Sequence, residues 1–181
     1  GQTKILETEL QIVMPRRTPP QKRYDQSLKR FNMSVWGRQS GKSTAGYRKM
    51  FWKPMQNQKK HSIFWQILQT HNAAEVIYER YLRLLHPYKD DVILYKSDTD
   101  KRVELIGNRN IFFKSGENYE DLRSESLDGC IIDEMRQQHP NLWKLIIRPM
   151  LARSGGWGDL LTTPNGFDHC YDTYMEILND P

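Results

Sequence analysis

Between residues 37 and 44 the chain reads Gly37-Arg38-Gln39-Ser40-Gly41-Lys42-Ser43-Thr44. A loop of this kind wraps backbone N–H groups around phosphate and aims a helix N-terminus at it. Its lysine reaches the β- and γ-oxygens and its hydroxyl takes a magnesium ion. Lys42 and Ser43 fit the last two roles, so a nucleotide phosphate with Mg2+ is the expected ligand pair. Three residues separate Gly37 from Gly41 where the common form has four, and Trp36 stands where the first glycine is expected. By pattern alone this is a near miss. Its position between a strand pattern and a helix pattern favours a phosphate loop over a plain turn.

Downstream, Cys130-Ile131-Ile132-Asp133-Glu134 is a short apolar run ending in two acids. An aspartate at a strand end can hold the magnesium, and the following glutamate can polarise an attacking water. Alone the run says little, because acidic turns after strands are common. Paired with the earlier loop about 90 residues upstream, it supplies the second half of a nucleotide-hydrolysing site.

These residues need elements to hold them. The patterns predict a short helix over 21–30, a strand over Asn32–Trp36 and a helix from Lys42 to about Trp52 that closes before Pro54. They continue with a strand at Ser62–Leu68, a helix at Asn72–Leu85 with Thr70 as cap, and a strand at Val92–Tyr95. Val103–Ile106 and Ile111–Phe113 read as a hairpin around 107–110. After a polar loop over 114–127 come the Cys130–Ile132 strand, a helix over Asn141–Arg153 despite Pro149, a strand at Leu160–Thr162 and a closing helix at Asp168–Leu178. Strands alternating with helices imply an α/β fold, a mostly parallel sheet with helices on both faces. Residues 1–20, with Leu10, Ile12 and Met14 alternating ahead of Pro19-Pro20, read as an N-terminal arm before one domain over 21–181.

The 181 residues carry a net charge of +5, but residues 1–60 hold +11 and the remainder −6. The basic front suits a polyanion, whether nucleotide phosphates or nucleic acid, and equally a solvated basic arm. Two distant cysteines provide neither a disulfide framework nor a four-ligand zinc site. No apolar run approaches the ~18 residues of a membrane span. His61, His71, His86, His139 and His169 show no ligand spacing. Phe64, Trp65, Phe112, Phe113 and Trp143 are expected in the core. Lys59, Lys60, Lys101, Arg102 and Arg109, the last at a hairpin tip, are candidates for DNA phosphate, though each is also an ordinary surface charge.

Taken together, the motifs resemble the large terminase subunit of tailed bacteriophages, the ATPase that drives genome packaging into the capsid. A shortened loop beginning Gly-Arg is characteristic of that family. Pro19-Pro20-Gln21 looks like its glutamine element, and Leu122-Arg123 resembles its Leu-Arg-Gly segment with Ser124 in place of glycine. Arg148-Pro149-Met150-Leu151-Ala152 and Leu161-Thr162-Thr163-Pro164-Asn165-Gly166 look like its Arg-Pro-x-Leu helix and its coupling motif. The resemblance implies a P-loop NTPase of the additional-strand, catalytic-glutamate class. Gln21 would contact adenine, with Gly37, Arg38, Gln39, Ser40, Gly41, Lys42, Ser43 and Thr44 around the phosphates. Ser43 and Asp133 would hold Mg2+, and Glu134 would activate water. Thr162, Thr163 and Pro164 would couple the γ-phosphate to DNA movement. Arg38 or Arg123 would be the arginine finger, the resemblance favouring Arg123 acting on a neighbouring subunit.

The implied partners are double-stranded DNA, the portal protein, the small terminase subunit and further copies in a ring, a pentamer by resemblance, in the host cytoplasm and with no membrane. The family's nuclease domain has no counterpart in these residues, so no nuclease activity is expected of them. Two other readings stand beside this one: a P-loop helicase or translocase of another group, and a nucleotide-dependent assembly module with little turnover alone.

Overall fold

The computed structural model describes Met14 and residues 16–123, 126–164 and 169–179. Most of the arm, Ser124 and the Asn165-Gly166 pair lie outside the described residues. A seven-stranded sheet runs in the order β1-β7-β6-β2-β5-β4-β3. It comprises β1 (Phe31–Val35), β2 (Ser62–Leu68), β3 (Ile93–Ser97), β4 (Arg102–Leu105), β5 (Arg109–Ser115), β6 (Gly129–Ile132) and β7 (Trp157–Thr162). β1, β7, β6, β2 and β5 are parallel, whereas β3, β4 and β5 form antiparallel pairs. The mostly parallel sheet is the one anticipated, and β7 lies between β1 and the Asp-Glu strand β6, as the additional-strand class requires.

Helices cover both faces. On one, α2 (Lys42–Met55) and α3 (His71–Leu85) bury Met50, Phe51, Tyr81 and Leu85 against Phe64, Ile111 and Phe113. On the other, a π-helical segment (Leu142–Ile147) and α5 (Arg148–Ser154) bury Trp143, Ile147 and Leu151 against Trp65, Ile132 and Leu160, with α6 (His169–Leu178) adding Cys170. Of the aromatics assigned to the core, Phe112 alone is half-exposed. β6 is buried at every residue, which is why its sequence lacks alternation.

Three local departures have physical causes. Pro19 and Pro20 open α1 (Pro19–Asp25) instead of ending structure, because a first helical turn needs no N–H from them and their φ is already helical. α2 continues through Pro54; the proline leaves the Met50 carbonyl without its helical donor, and the Tyr81 hydroxyl of α3 supplies one at 3.2 Å. Pro149 likewise falls in the first turn of α5, after the π-helical segment, where its missing N–H costs nothing. A short α4 (Lys89–Val92) intervenes between α3 and β3.

Candidate functional site

The five parallel strands bring their C-terminal ends to one side of the sheet, where open α/β sheets bind ligands. Gly37–Gly41 leaves β1 there and enters α2. Gln39 and Gly41 both adopt positive φ, 55° and 80°. Glycine is favoured at position 41, since its positive φ strains other residues and a Cβ would stand 2.7 Å from Gln21 Nε2. Ser40 Oγ donates to the Gly37 carbonyl at 2.6 Å and tightens the turn. Thr44 is half-buried in the first turn of α2, and Arg38 is exposed at the loop surface.

Gln21 lies over this loop, buried. Its Nε2 donates to the Gly41 carbonyl at 3.1 Å, and its Oε1 accepts the Thr18 N–H at 2.9 Å, closing the first turn of α1. The sequence pairing of Gln21 with the loop is therefore a physical contact.

Lys42, also buried, ion-pairs with Glu134 and stands 3.6 Å from Asp133. Ser43 Oγ donates to Asp133 Oδ2 at 2.9 Å, and the Glu134 N–H donates to Asp133 Oδ1 at 2.9 Å. Burial raises the Asp133 carboxyl above the usual carboxylate range; Lys42 and the Ser43 hydroxyl counter this in part, and Glu134 adds to it. Glu134 itself takes left-handed backbone angles, φ 48° and ψ 49°. That conformation is uncommon for glutamate and typical of strain held at functional positions.

Thr162 is the register partner of Val35, and its carbonyl accepts the Trp36 N–H at 2.9 Å. Thr162, which the resemblance assigns to coupling, is thus fastened to the strand that feeds the loop. Thr163 is half-buried and Pro164 exposed. Arg123 is exposed, and its guanidinium donates to the Leu122 carbonyl at 3.1 Å. Leu122 lines a recess with Phe113, Lys114 and Ser115 at the end of β5, four strand spacings or about 19 Å from β1.

The basic clusters are mostly engaged within the fold. Lys59 pairs with buried Asp128, Lys101 reaches the Asp98 carbonyl and lies 3.6 Å from Glu75, and Arg102 contacts Glu104 at 3.3 Å. Arg109 is not at the hairpin tip but opens β5, donating to the Ile106 and Asn57 carbonyls at 2.6 and 2.8 Å. Lys60 is exposed.

One group escaped sequence reading altogether. Asp159 of β7 is fully buried and accepts from Lys49 of α2, from Tyr24 of α1 at 2.6 Å and from Asn32 of β1 at 3.0 Å. A single carboxylate ties together the elements that carry Gln21, the loop, Lys42 and Thr162. Its only signal in the sequence is an acid inside an apolar strand.

Ser43 Oγ and the Asp133 carboxylate are hard oxygen donors of the kind Mg2+ takes, with its remaining ligands drawn from phosphate and water. Among the described residues no cluster of three or more His, Cys, Asp or Glu is poised for a metal. No helix of the described residues is long and apolar enough to cross a membrane.

Several known proteins share this architecture. The ATPase domain of the large terminase of Thermus phage P74-26 superposes with a TM-score of 0.71 at 23% identity, over 88% of this chain and 70% of that one. The large terminase of bacteriophage HK97 gives 0.72 at 16% identity, over 91% and 38%. In sequence, the large terminase subunits of Thermus phage G20c and Thermus virus P23-45 are each 27% identical over 160 residues, 77% of this chain and 32% of theirs. The chain spans about a third of the length of these curated relatives. The family described as terminase large subunit, T4likevirus-type, N-terminal, matches residues 33–181, and with the loop, the Asp-Glu strand and the strand between them in that order, the chain belongs to the terminase large subunit family.

Proposed function

We propose that this domain binds and hydrolyses Mg-ATP as the motor of a phage genome-packaging machine, moving double-stranded DNA into a procapsid. The observation that carries the reading is the meeting of Lys42, Ser43, Asp133 and Glu134 at one sheet edge beside Gln21 and Thr162. Lys42 and the loop amides bind the β- and γ-phosphates. Ser43 and Asp133 would hold Mg2+, which when bound would supply positive charge against the charge that grows on the phosphate. Glu134 orients the attacking water and accepts its proton, its carboxylate being the half-exposed member of the pair. Gln21 exchanges one of its present partners for the adenine edge.

Thr162 and Thr163 sense the γ-phosphate and pass its loss along β7. Arg123 serves as the finger for a neighbouring subunit's nucleotide. Its exposure, with a hydrogen bond to the adjacent Leu122 carbonyl, suits action on a neighbour, and Arg38, beside its own loop, is the alternative. DNA, the portal protein, the small subunit and a ring of copies are the partners, in the host cytoplasm. Steady-state ATPase assays against protein concentration, with and without duplex DNA, test the reading. Turnover that rises with assembly and vanishes in Lys42→Ala is expected. Nucleotide binding without turnover under any condition would leave an assembly module instead.

A further inference from the structure

On the far side of α1 from the phosphate loop lies a recess of about 560 Å³ between α1 and α2, lined by Arg16, Arg17, Lys22, Asp25, Arg48 and Trp52, with Met14 at its edge. Its composition is lopsided. Four cations face one acid, and that acid is already bound by Arg17 at 3.0 Å.

The floor is more telling than the rim. Arg48 is 3% exposed, and among the described residues its buried Nε finds no acceptor; nor does the buried Nε1 of Trp52, one helical turn on. Guanidinium and indole groups are donors only. A buried donor without an acceptor is destabilising, and here two of them line one concave site. Burial and neighbouring Arg17 push the Arg48 guanidinium down from its ordinary value, against the pull of Asp25; it nevertheless stays protonated. Among the described residues, these donors lack an acceptor carrying negative charge. The fork of an arginine together with several flanking cations suits phosphate, which offers several oxygens and more than one charge.

We propose that this recess is a second anion site, separate from the phosphate loop, that takes a phosphate group on Arg48 and Trp52 with Arg16 and Lys22 at its mouth. The group would come from free phosphate or from a nucleic-acid backbone.

The test uses the 181-residue chain carrying Lys42→Ala, which disables the phosphate loop, and follows thermal unfolding as inorganic phosphate is added at constant ionic strength. A saturable upward shift is expected, absent with chloride. Adding Trp52→Phe, which keeps the ring and removes one donor, should weaken the apparent affinity about tenfold. Adding Arg48→Met should abolish the shift without loss of fold, since it replaces a buried charged group whose Nε lacks an acceptor with an apolar side chain of similar length. No saturable shift, or one that survives both Trp52→Phe and Arg48→Met undiminished, overturns the proposal. In the second arm, a short DNA duplex competes with phosphate. Competition that depends on Arg48 assigns the site to backbone phosphate, and its absence assigns the site to the free ion; either result retains the anion site.

Discussion

The Lys42 ammonium and the Glu134 carboxylate, 92 residues apart in sequence, share a hydrogen bond. The group that should grip phosphate therefore neutralises the group that should activate water, and phosphate must take Lys42 from Glu134 before either can act. Glu134→Gln weakens the competing pair while keeping its shape. It should bind Mg-ATP more tightly than the parent and turn over about 10² to 10⁴ times more slowly. Binding of a fluorescent ATP analogue and phosphate release read the two effects separately. Normal hydrolysis in Glu134→Ala would remove the residue from the chemistry.

Gly41 and Gln21 give a second expectation. Gly41→Ala meets left-handed backbone at φ 80° and places a Cβ 2.7 Å from Gln21 Nε2. The backbone share should cost about 1–2 kcal/mol, measurable by urea unfolding, and the displaced glutamine should loosen adenine binding. Gln21→Ala in the same background relieves the clash but not the strain, so stability should recover only in part. Alone, Gln21→Ala should narrow the preference for ATP over GTP; an unchanged preference would confine Gln21 to capping α1.

The elements around this site were readable in the sequence because local pattern decides them. Ser62–Leu68 was located to the residue, and Thr70 caps α3 by accepting the Ala73 N–H at 3.1 Å. What the sequence concealed depends on distant partners. Pro54 stays helical because Tyr81, on another helix, completes the Met50 carbonyl. Asp159 reads as one acid in an apolar run until Tyr24 and Lys49 arrive from 135 and 110 residues away. Arg109 reads as a hairpin tip until register places it in β5. Spacing could pair Lys42 with Asp133 and Glu134 as a motif, but it could not say that they are bonded to one another.

The buried pair Asp159–Lys49 supplies a stability prediction. Both side chains are almost wholly buried, so removing one partner strands the other. Asp159→Leu should cost about 3–5 kcal/mol, and adding Lys49→Met should recover most of it. Tyr24→Phe removes one bond to Asp159 and should cost about 1 kcal/mol. Chemical denaturation of these variants and of Lys49→Met alone decides the matter; an additive double variant would mean that the charges do not interact.

Asp133 makes a pH dependence with an unusual sign. Its carboxyl is raised in the fold, so between the ordinary aspartate value of about 3.9 and that raised value the folded chain binds more proton than the unfolded one. Stability from this residue is then present at the acid end of the window and lost as pH rises through the folded value. The stability of the parent minus that of Asp133→Asn should therefore fall with rising pH. A difference that grows instead would show that Lys42 outweighs burial.

The placement of Arg123 leads to a complementation experiment. If Arg123 completes a neighbour's site, an Arg123→Ala subunit keeps a usable nucleotide site but lacks a finger, whereas a Lys42→Ala subunit has a finger but no usable site. Each alone should be inactive in assemblies, the first retaining ATP binding. Mixed, some neighbouring pairs join an intact site to an intact finger, so activity should return and pass through a maximum as the ratio is varied. A finger acting within one subunit allows no such recovery at any ratio. Arg38 lies on the loop itself, so if Arg38→Ala is inactive and Arg123→Ala is not, the finger role moves to Arg38. A finger contributes about 10³ to 10⁵ in rate, so even a small fraction of productive pairs would be visible above either variant alone.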